Sequence, residues 1–262
     1  MTDTPLAGVG VLVTRPAQQA AGLIMAIEAA GGNAIAFPVI EIVPRSPQDI
    51  EADVAALENP DIVIYVSSNA VEHGLAWNTA GAVAVVGPAT AAAIEAAARI
   101  VDICPANGYD SESLLAEPAL NDVAGKTVRI VRGNGGRELL ADTLRERGAT
   151  VDYLPVYERR LPAHSAADVD ALAGHWQAGD IDVTTAMSVE SLRNLIALVP
   201  DSCHRLLAKT PLVTPAARVL KEAQESLPDC IVILATGPSA DEMVDAIAAV
   251  PAIGHNRSGQ HS

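Results

Sequence analysis

Aromatic residues are rare in this chain. Phe, Trp and Tyr make up 3% of the 262 residues, with one Phe, two Trp and four Tyr, whereas hydrophobic residues as a whole make up 50%. A core must therefore be built mainly from Ala, Val, Leu and Ile, which suits strands that are buried on both faces beneath helices. The length allows one large domain or two modest ones, each with its own core.

Basic residues are also few. The chain has 17 Lys and Arg against 32 Asp and Glu, which gives a formal net charge of -15. Such an acidic chain is a poor general partner for nucleic acid or for an anionic membrane. We therefore expect neither as a partner, and an anionic ligand would depend on a local cluster of basic groups.

Cysteine is scarce too, and the three cysteines are far apart in the sequence, with no CxxC spacing. The six histidines form neither an HExxH nor an HxH pattern. These features favour free thiols in a reducing compartment over a disulfide framework, and they indicate no metal site. The first residues lack a basic segment followed by an apolar stretch, so we expect no export signal and a cytoplasmic protein. Residues 251–262 are small and polar, and we expect a disordered tail there.

Short apolar runs alternate with helical patterns along the chain. In residues 18–30, Leu and Ile residues lie on one helical face. In residues 137–147, Leu residues do so. The runs typical of strands are 9–13, 33–37, 62–66, 83–86, 127–131, 150–154, 181–185, 211–213 and 230–235. This alternation predicts an α/β fold with parallel sheets and helices on both faces.

The sequence also contains an internal repeat. Residues 11–16 align with residues 128–133, and the same offset places the Phe-Pro-Val at 37–39 on the Leu-Pro-Val at 154–156. Further on, residues 61–67 align with 182–188, and 86–89 with 213–216. Chance similarity between Ala-rich helices is the alternative, but the matched Arg, Gly and Pro positions do not follow from composition. The repeat predicts two related α/β units with a cleft between them.

Two extended segments, residues 38–44 and 155–160, occupy the same place in the two copies and contain or border on proline. Proline lacks the N–H group that a central strand donates, so both segments are predicted to be edge or connector strands. They could pair with each other as a two-stranded bridge between the units.

Ligands of open parallel sheets bind beyond the carboxyl ends of the strands, near helix amino termini. The richest such loop is glycine-rich and is flanked by arginines, which favours binding of carboxylate or phosphate over an ordinary turn. Its candidate residues are Arg132, Gly133, Asn134, Gly135, Gly136 and Arg137, within a stretch (126–160) of eight basic and five acidic residues. The candidates in the other loops are Arg15, Ser67, Ser68, Asn69, Gly87 and Thr90, with Ser188 and Thr214 in the second copy. Helix capping is the alternative role for the serines.

Tyr157 is one of only four tyrosines and lies in the second extended segment, where the first copy has Ile40. Its phenol could donate a proton or a hydrogen bond, or it could simply pack. The sequence shows no Ser-His-Asp arrangement, no Walker loop and no GxGxxG spacing. A non-catalytic two-lobed binding protein remains the alternative from another class, and a two-domain transferase would need a nucleotide loop or an acidic metal motif.

The motifs, taken in order, resemble those of the uroporphyrinogen-III synthase family. VLVTRP at 11–16, FPVIEI at 37–42, GKTVRIVRGNGGRE at 125–138 and LPVYER at 154–159 carry the resemblance, which extends over residues 8–250. It implies two flavodoxin-like parallel-sheet domains from an internal duplication, joined by a two-stranded connector. The implied domains are 1–37 with 162–250 and 44–154, with connector strands at 38–43 and 155–161.

The resemblance also implies a cofactor-free hydro-lyase. Its substrate would be hydroxymethylbilane, a linear tetrapyrrole with acetate and propionate side chains, which the enzyme closes with loss of water and inversion of the last pyrrole ring. Tyr157 would assist departure of the hydroxyl, and main-chain N–H groups of the loops would hold the carboxylates. Many relatives have Gly-Pro-x-Thr where this chain has 214–217, so we expect that loop to bind through its backbone rather than its side chains. We expect a monomer, with transient contact to the preceding pathway enzyme left open.

Overall fold

The computed structural model describes residues 4–78, 80–136 and 138–251. Arg137 and most of the tail predicted to be disordered lie outside these residues. The described chain is an α/β protein with two five-stranded sheets. It divides into two compact units, the first comprising Met1–Glu41 and Arg160–Ser262 and the second comprising Ile42–Arg159.

The strands follow the apolar runs of the sequence. They are β1 (Gly10–Val13), β2 (Asn33–Ala36), β3 (Glu41–Pro44), β4 (Ile62–Tyr65), β5 (Ala82–Val85), β6 (Thr127–Gly133), β7 (Thr150–Arg160), β8 (Val183–Thr185), β9 (Leu212–Thr214) and β10 (Val232–Leu234).

The helices lie between them. They are α1 (Ala17–Ala29), α2 (Pro47–Ala55), α3 (Ser68–Gly74), α4 (Pro88–Ala96), α5 (Ser111–Leu115), α6 (Leu139–Glu146), α7 (Ala166–Ala178), α8 (Val189–Leu198), α9 (His204–Leu207), α10 (Ala217–Ser226) and α11 (Ala240–Ala248), with 3₁₀ turns at Leu75–Trp77, Pro118–Leu120 and Asp201–Cys203.

The first sheet has the order β10-β9-β8-β1-β2, and all four of its strand pairs are parallel. Counted in chain order within this sheet, that is the flavodoxin-like order 2-1-3-4-5. The second sheet has the order β3-β7-β6-β4-β5, with β4 to β7 joined by parallel pairs. It repeats the 2-1-3-4 order and adds β3 at its edge, so the predicted flavodoxin-like fold is confirmed.

The central strands are apolar because helices cover both of their faces. Every residue of β1 and of β4 is buried. On one face of the first sheet, Val11 and Val13 pack with Leu23, Ile27 and Met243. The core of the first unit is therefore built from aliphatic side chains, as the shortage of aromatic residues required.

A similar core lies on one face of the second sheet. There Ile64 and Ile130 pack with Leu140, Leu144 and Leu114. The residues of α6 within this group have the spacing that the sequence showed on one helical face. The apolar face of α6 and that of the second sheet therefore pack together in one aliphatic layer.

Several helices begin at a side-chain cap. Ser165 and Ser239 form capping boxes with Asp168 and Glu242, and Ser46 accepts the amide of Asp49. Each cap satisfies an amide that has no partner inside the helix, which fixes where the helix starts.

The two extended segments pair with each other as predicted, since β3 at the edge of the second sheet lies beside β7, whereas the edge alternative does not hold for the second segment. This segment is part of the 11-residue strand β7, which has β3 on one side and β6 on the other. Pro155 is tolerated because the β6–β7 register shifts between Arg132 and Gly133, directly after the Arg132–Pro155 pair. The ladder is interrupted there, so the missing N–H of proline costs little.

Candidate functional site

Tyr157 is a residue of β7 and lies beside the carboxyl end of β6, in the second unit. The register shift pairs Gly133 with Tyr157 rather than with Val156. The Tyr157 side chain is 3% exposed, and a Cβ atom on Gly133 would lie 2.5 Å from its Cε2 atom. A bulge and a glycine therefore allow the ring to lie directly against the β6 backbone.

The phenol of Tyr157 reaches the start of α3. Its hydroxyl oxygen lies 3.2 Å from the Ser67 Oγ atom, and its ring is tilted by 56° to that of His73, with 6.1 Å between centroids. Ser67 is the amino-terminal cap of α3, because its Oγ accepts the amide hydrogen of Ala70 at 3.1 Å. Ser67 therefore caps a helix and contacts Tyr157 through the same oxygen.

The glycine-rich loop after β6 is hydrogen-bonded to β7, the strand that contains Tyr157. The Asn134 amide donates to the carbonyl oxygen of Tyr157 at 2.9 Å, and the Asn134 side-chain oxygen accepts the Arg159 amide at 2.7 Å. Gly135 and Gly136 have φ of +69° and +130°, which favour glycine. The loop is exposed, yet its geometry depends on the backbone of β7 on both sides of Glu158.

Arg132 is held by its own loop. The guanidinium donates to the Gly135 carbonyl at 3.0 Å and to the Glu138 carboxylate at 3.2 Å, and it lies 4.6 Å from the centre of the Tyr153 ring. The side chain is buried, whereas Glu138 is exposed. Arg132 thus fixes the turn that follows β6 in this structure, while its predicted role in binding an anion stays a prediction.

Glu138 and Tyr153 complete this arrangement. The Tyr153 hydroxyl donates to the Glu138 carboxylate, and this hydrogen bond, followed by those from Arg132, holds the pKa of Glu138 below its usual value. Partial burial and the neighbouring carboxylate raise the pKa of Tyr153. Sequence reasoning did not identify either residue; the only signal was a tyrosine on the β7 strand next to an arginine-rich strand.

The other predicted residues of the second unit lie at the ends of β4 and β5. Ser68 and Asn69 open α3 next to Ser67. Gly87 caps α4, and a Cβ atom there would lie 3.1 Å from the exposed side chain of Tyr109. Thr90 is buried in the first turn of α4. Since β4 lies between β5 and β6, these loops share one edge of the sheet with Gly133 and Tyr157.

The predicted residues of the first unit lie at the corresponding edge of its sheet. Thr14 is buried and donates to the Thr185 carbonyl at 2.6 Å. Arg15 donates to the Pro238 carbonyl at 2.5 Å, and burial lowers the pKa of its guanidinium.

Ser188 and Thr214 occupy the next two positions along that edge. Ser188 caps α8 and its Oγ lies 2.8 Å from the Ser191 Oγ. Thr214 is fully buried and its hydroxyl oxygen accepts the Ala216 amide at 3.2 Å. Ser188 and Thr214 thus have local structural contacts as well as their predicted binding role.

Together these features define an α/β protein with two flavodoxin-like sheets and polar loops at the carboxyl ends of their parallel strands. Among residues 4–78, 80–136 and 138–251, no group of three or more His, Cys, Asp or Glu is placed to hold a metal ion. In the same part of the chain, no helix combines the length and the apolar character needed to cross a membrane.

Comparison with known proteins identifies the family. A family model described as "Uroporphyrinogen-III synthase HemD" matches residues 21–245. The chain is 33% identical to the uroporphyrinogen-III synthase of Escherichia coli K12 over 225 residues, covering 82% of this chain and 90% of the relative. It is also 33% identical to that of Synechococcus elongatus over 213 residues, covering 77% and 79%. The chain therefore belongs to the uroporphyrinogen-III synthase family, whose members are cyclising hydro-lyases of tetrapyrrole biosynthesis.

Solved structures support the fold. A mutant uroporphyrinogen III synthase from the extremely thermophilic bacterium Thermus thermophilus is similar, with a TM-score of 0.62 at 18% identity, covering 90% of this chain and 96% of that one. A synthetase from Helicobacter pylori 26695 gives a TM-score of 0.59 at 12% identity, covering 90% and 97%. At these identities the likeness concerns the fold alone.

Proposed function

We propose that the chain cyclises hydroxymethylbilane to uroporphyrinogen III, with Tyr157 as the proton donor. The family match supports the overall reaction. The observation that carries the residue assignment is the placement of the Tyr157 phenol at the carboxyl edge of the second sheet, against Gly133 and within 3.2 Å of Ser67. Polar loops from neighbouring strands end at that same edge.

The proposed first step breaks the bond between carbon and oxygen at the terminal hydroxymethyl group. The phenol of Tyr157 transfers its proton to the departing oxygen, so water leaves, and a protonated azafulvene and the Tyr157 phenolate remain. The substituted α-carbon of the last pyrrole attacks this cation to give a spiro intermediate. The bond from that carbon to its original bridging methylene then breaks, and the methylene bonds to the other α-carbon of the same ring, which is thereby inverted. Closure replaces the α-hydrogen of the last pyrrole, and the released proton restores the phenol. The net change is the loss of one water.

The loops are proposed to hold the acetate and propionate groups through their main-chain N–H groups. Exposed turns rich in glycine present such groups without a side chain in the way. This mode suits the loop of Gly133 to Gly136. The guanidinium of the neighbouring Arg132 is already hydrogen-bonded within the protein, to the Gly135 carbonyl and the Glu138 carboxylate. Catalysis then consists largely of fixing the geometry of a flexible chain. Without the enzyme, ring closure in water would give the isomer in which the last pyrrole is not inverted.

The reaction is tested by incubating the purified protein with hydroxymethylbilane and separating the cyclic products as their oxidised porphyrins. We expect the type III isomer, with the same yield after exhaustive dialysis against a chelator, because no cofactor takes part in the proposed steps. Formation of the type I isomer alone would overturn the assignment.

The role of Tyr157 is tested by Tyr157→Phe. We expect turnover to fall by ~10²-fold, in the usual range for loss of a general acid. Tyr65→Phe is the matched control, since Tyr65 is a buried tyrosine at the end of β4 in the same unit. Equal turnover of the two variants would remove Tyr157 from the mechanism while leaving the overall reaction intact.

We also propose that the enzyme acts in the cytoplasm as a monomer. The three cysteines are free thiols in the structure, and Cys203 is buried, which suits a reducing compartment. Sedimentation velocity at micromolar concentration, with and without the enzyme that makes hydroxymethylbilane, would test the monomer and any transient contact.

A further inference from the structure

Ser67 and Tyr157 form a contact that only the second unit contains. In the internal repeat, Ser67 aligns with Ser188 and Tyr157 aligns with Ile40. Both serines cap a helix, through the amides of Ala70 and Ser191 at 3.1 Å each. Ser67 then meets the Tyr157 phenol, whereas the Ser188 hydroxyl meets that of Ser191. The capping function is therefore shared, and the contact with tyrosine is particular to Ser67.

The capping bond restricts what the Ser67 hydroxyl can do. A serine hydroxyl has one hydrogen to donate and two lone pairs that accept. One lone pair of the Ser67 Oγ accepts the Ala70 amide, which leaves its hydrogen available for the Tyr157 oxygen. If Tyr157 is to donate its own hydrogen to a substrate, its oxygen must accept from Ser67 rather than donate to it.

We infer that Ser67 is a positioning residue that donates to the Tyr157 oxygen, so that the Ala70 amide, the Ser67 hydroxyl and the Tyr157 phenol form a one-way hydrogen-bond relay. Each donor polarises the next, which strengthens the chain in this partly buried site. When Tyr157 releases its proton, the developing phenolate is stabilised by the Ser67 hydroxyl. This inference rests on the proposed function, and it assigns Ser67 to the tyrosine instead of to the substrate.

Four variants separate this role from helix capping. Ser67→Ala removes both, and Ser46→Ala removes the cap of α2, which lies in the same unit but has no part in the proposed site. Ser67→Thr keeps the hydroxyl, and the extended backbone at Ser67 (φ -167°, ψ 163°) suits a β-branched residue. Ser67→Asp keeps a capping oxygen but, when ionised, can only accept.

We expect Ser67→Ala and Ser67→Asp to lower kcat by about 10- to 100-fold with KM little changed, in keeping with loss of a hydrogen bond to a developing charge. Ser67→Thr should restore most of kcat. Ser46→Ala should stay within about threefold of the wild type, since its cap supports no tyrosine. A kcat loss in Ser46→Ala equal to that in Ser67→Ala, or full activity in Ser67→Asp, would show that only the cap matters.

A double variant decides whether Ser67 acts through Tyr157. If the relay operates, Ser67→Ala combined with Tyr157→Phe is no slower than Tyr157→Phe alone, because the phenol that Ser67 serves is already absent. Multiplied losses, or a raised KM in Ser67→Ala, would overturn the relay in favour of direct substrate binding by Ser67. If Tyr157→Phe itself is fully active, the proposed function of Tyr157 fails first, and that outcome is distinct from failure of the relay.

Discussion

Gly133→Ala is expected to disable Tyr157 without touching its hydroxyl. Gly133 does not have a positive φ, so alanine fits the backbone and the effect is steric. The added Cβ would lie 2.5 Å from Cε2 and 2.8 Å from Cζ of the Tyr157 ring, whereas ordinary contacts begin at 3.4 Å. The ring must retreat by about 0.9 Å, the difference between 3.4 and 2.5 Å.

That displacement is large for a proton donor. The Ser67–Tyr157 contact is already 3.2 Å, so a retreat away from Ser67 would carry it beyond hydrogen-bond distance. A misplacement of about 1 Å can cost ~10²-fold in rate. Overpacking of the buried ring should also lower the free energy of unfolding by about 1–3 kcal/mol. We therefore expect a rate loss similar to that of Tyr157→Phe in a protein that remains folded.

The assay compares kcat for the type III isomer with the thermal unfolding of each variant. Gly174→Ala in α7 is the control, because a Cβ atom there meets nothing within 4 Å and alanine favours a helix. Gly133→Ala combined with Tyr157→Phe should be no slower than Tyr157→Phe. Wild-type kcat in Gly133→Ala would refute the claim that this glycine sets the position of the ring.

Two further predictions concern stability. Arg129→Met should cost about 3–5 kcal/mol in free energy of unfolding, measured by urea titration, because Arg129 is 3% exposed and pairs with Asp152 at 3.0 Å. The exposed Arg193–Glu222 pair is the control, and Arg193→Met should cost less than about 1 kcal/mol; equal losses would contradict the reasoning. Burial raises the pKa of Tyr65 to about 12 from 10.0, so the unfolded chain releases this proton first as the pH rises, and stability should fall between about pH 10 and 12. Tyr65→Phe should reduce that fall by about 3 kcal/mol, and an unchanged slope would disprove it.

The strands and helices were predictable because local rules set them. Apolar runs without polar alternation indicated strands buried on both faces, and most predicted runs begin or end within one or two residues of the observed strands. The two extended segments pair as predicted, and only the edge alternative, which Pro155 favoured, fails for β7. Proline is costly only where its N–H would have bonded, and that depends on the register of β6, which the β7 sequence does not contain.

Sequence reasoning proposed the candidate residues one at a time but could not propose their contacts. The rarity of tyrosine drew attention to Tyr157, and the start of α3 drew attention to Ser67. Their contact joins residues 90 positions apart, so no local pattern could indicate it. Arg132 was expected to face a ligand, yet its bonds to Gly135 and Glu138 depend on how the loop turns after the bulge.

The sequence by itself determined that the chain is a duplication of strand–helix units, since side-chain periodicity, glycines and caps are properties of short segments. Apart from what the family resemblance implied, only the tertiary structure decided which strands share a sheet. In the first sheet, β1 and β2 of the first copy lie with β8 and β9 of the second. In the second sheet, β4 and β5 of the first copy lie with β6 and β7 of the second. Hydrogen bonds between parallel strands join backbone groups that are alike in every residue except proline, so strands of similar apolar composition do not encode their neighbours. Long-range packing of helices and connections selects the pairing, and with it the meeting of Ser67, Gly133 and Tyr157.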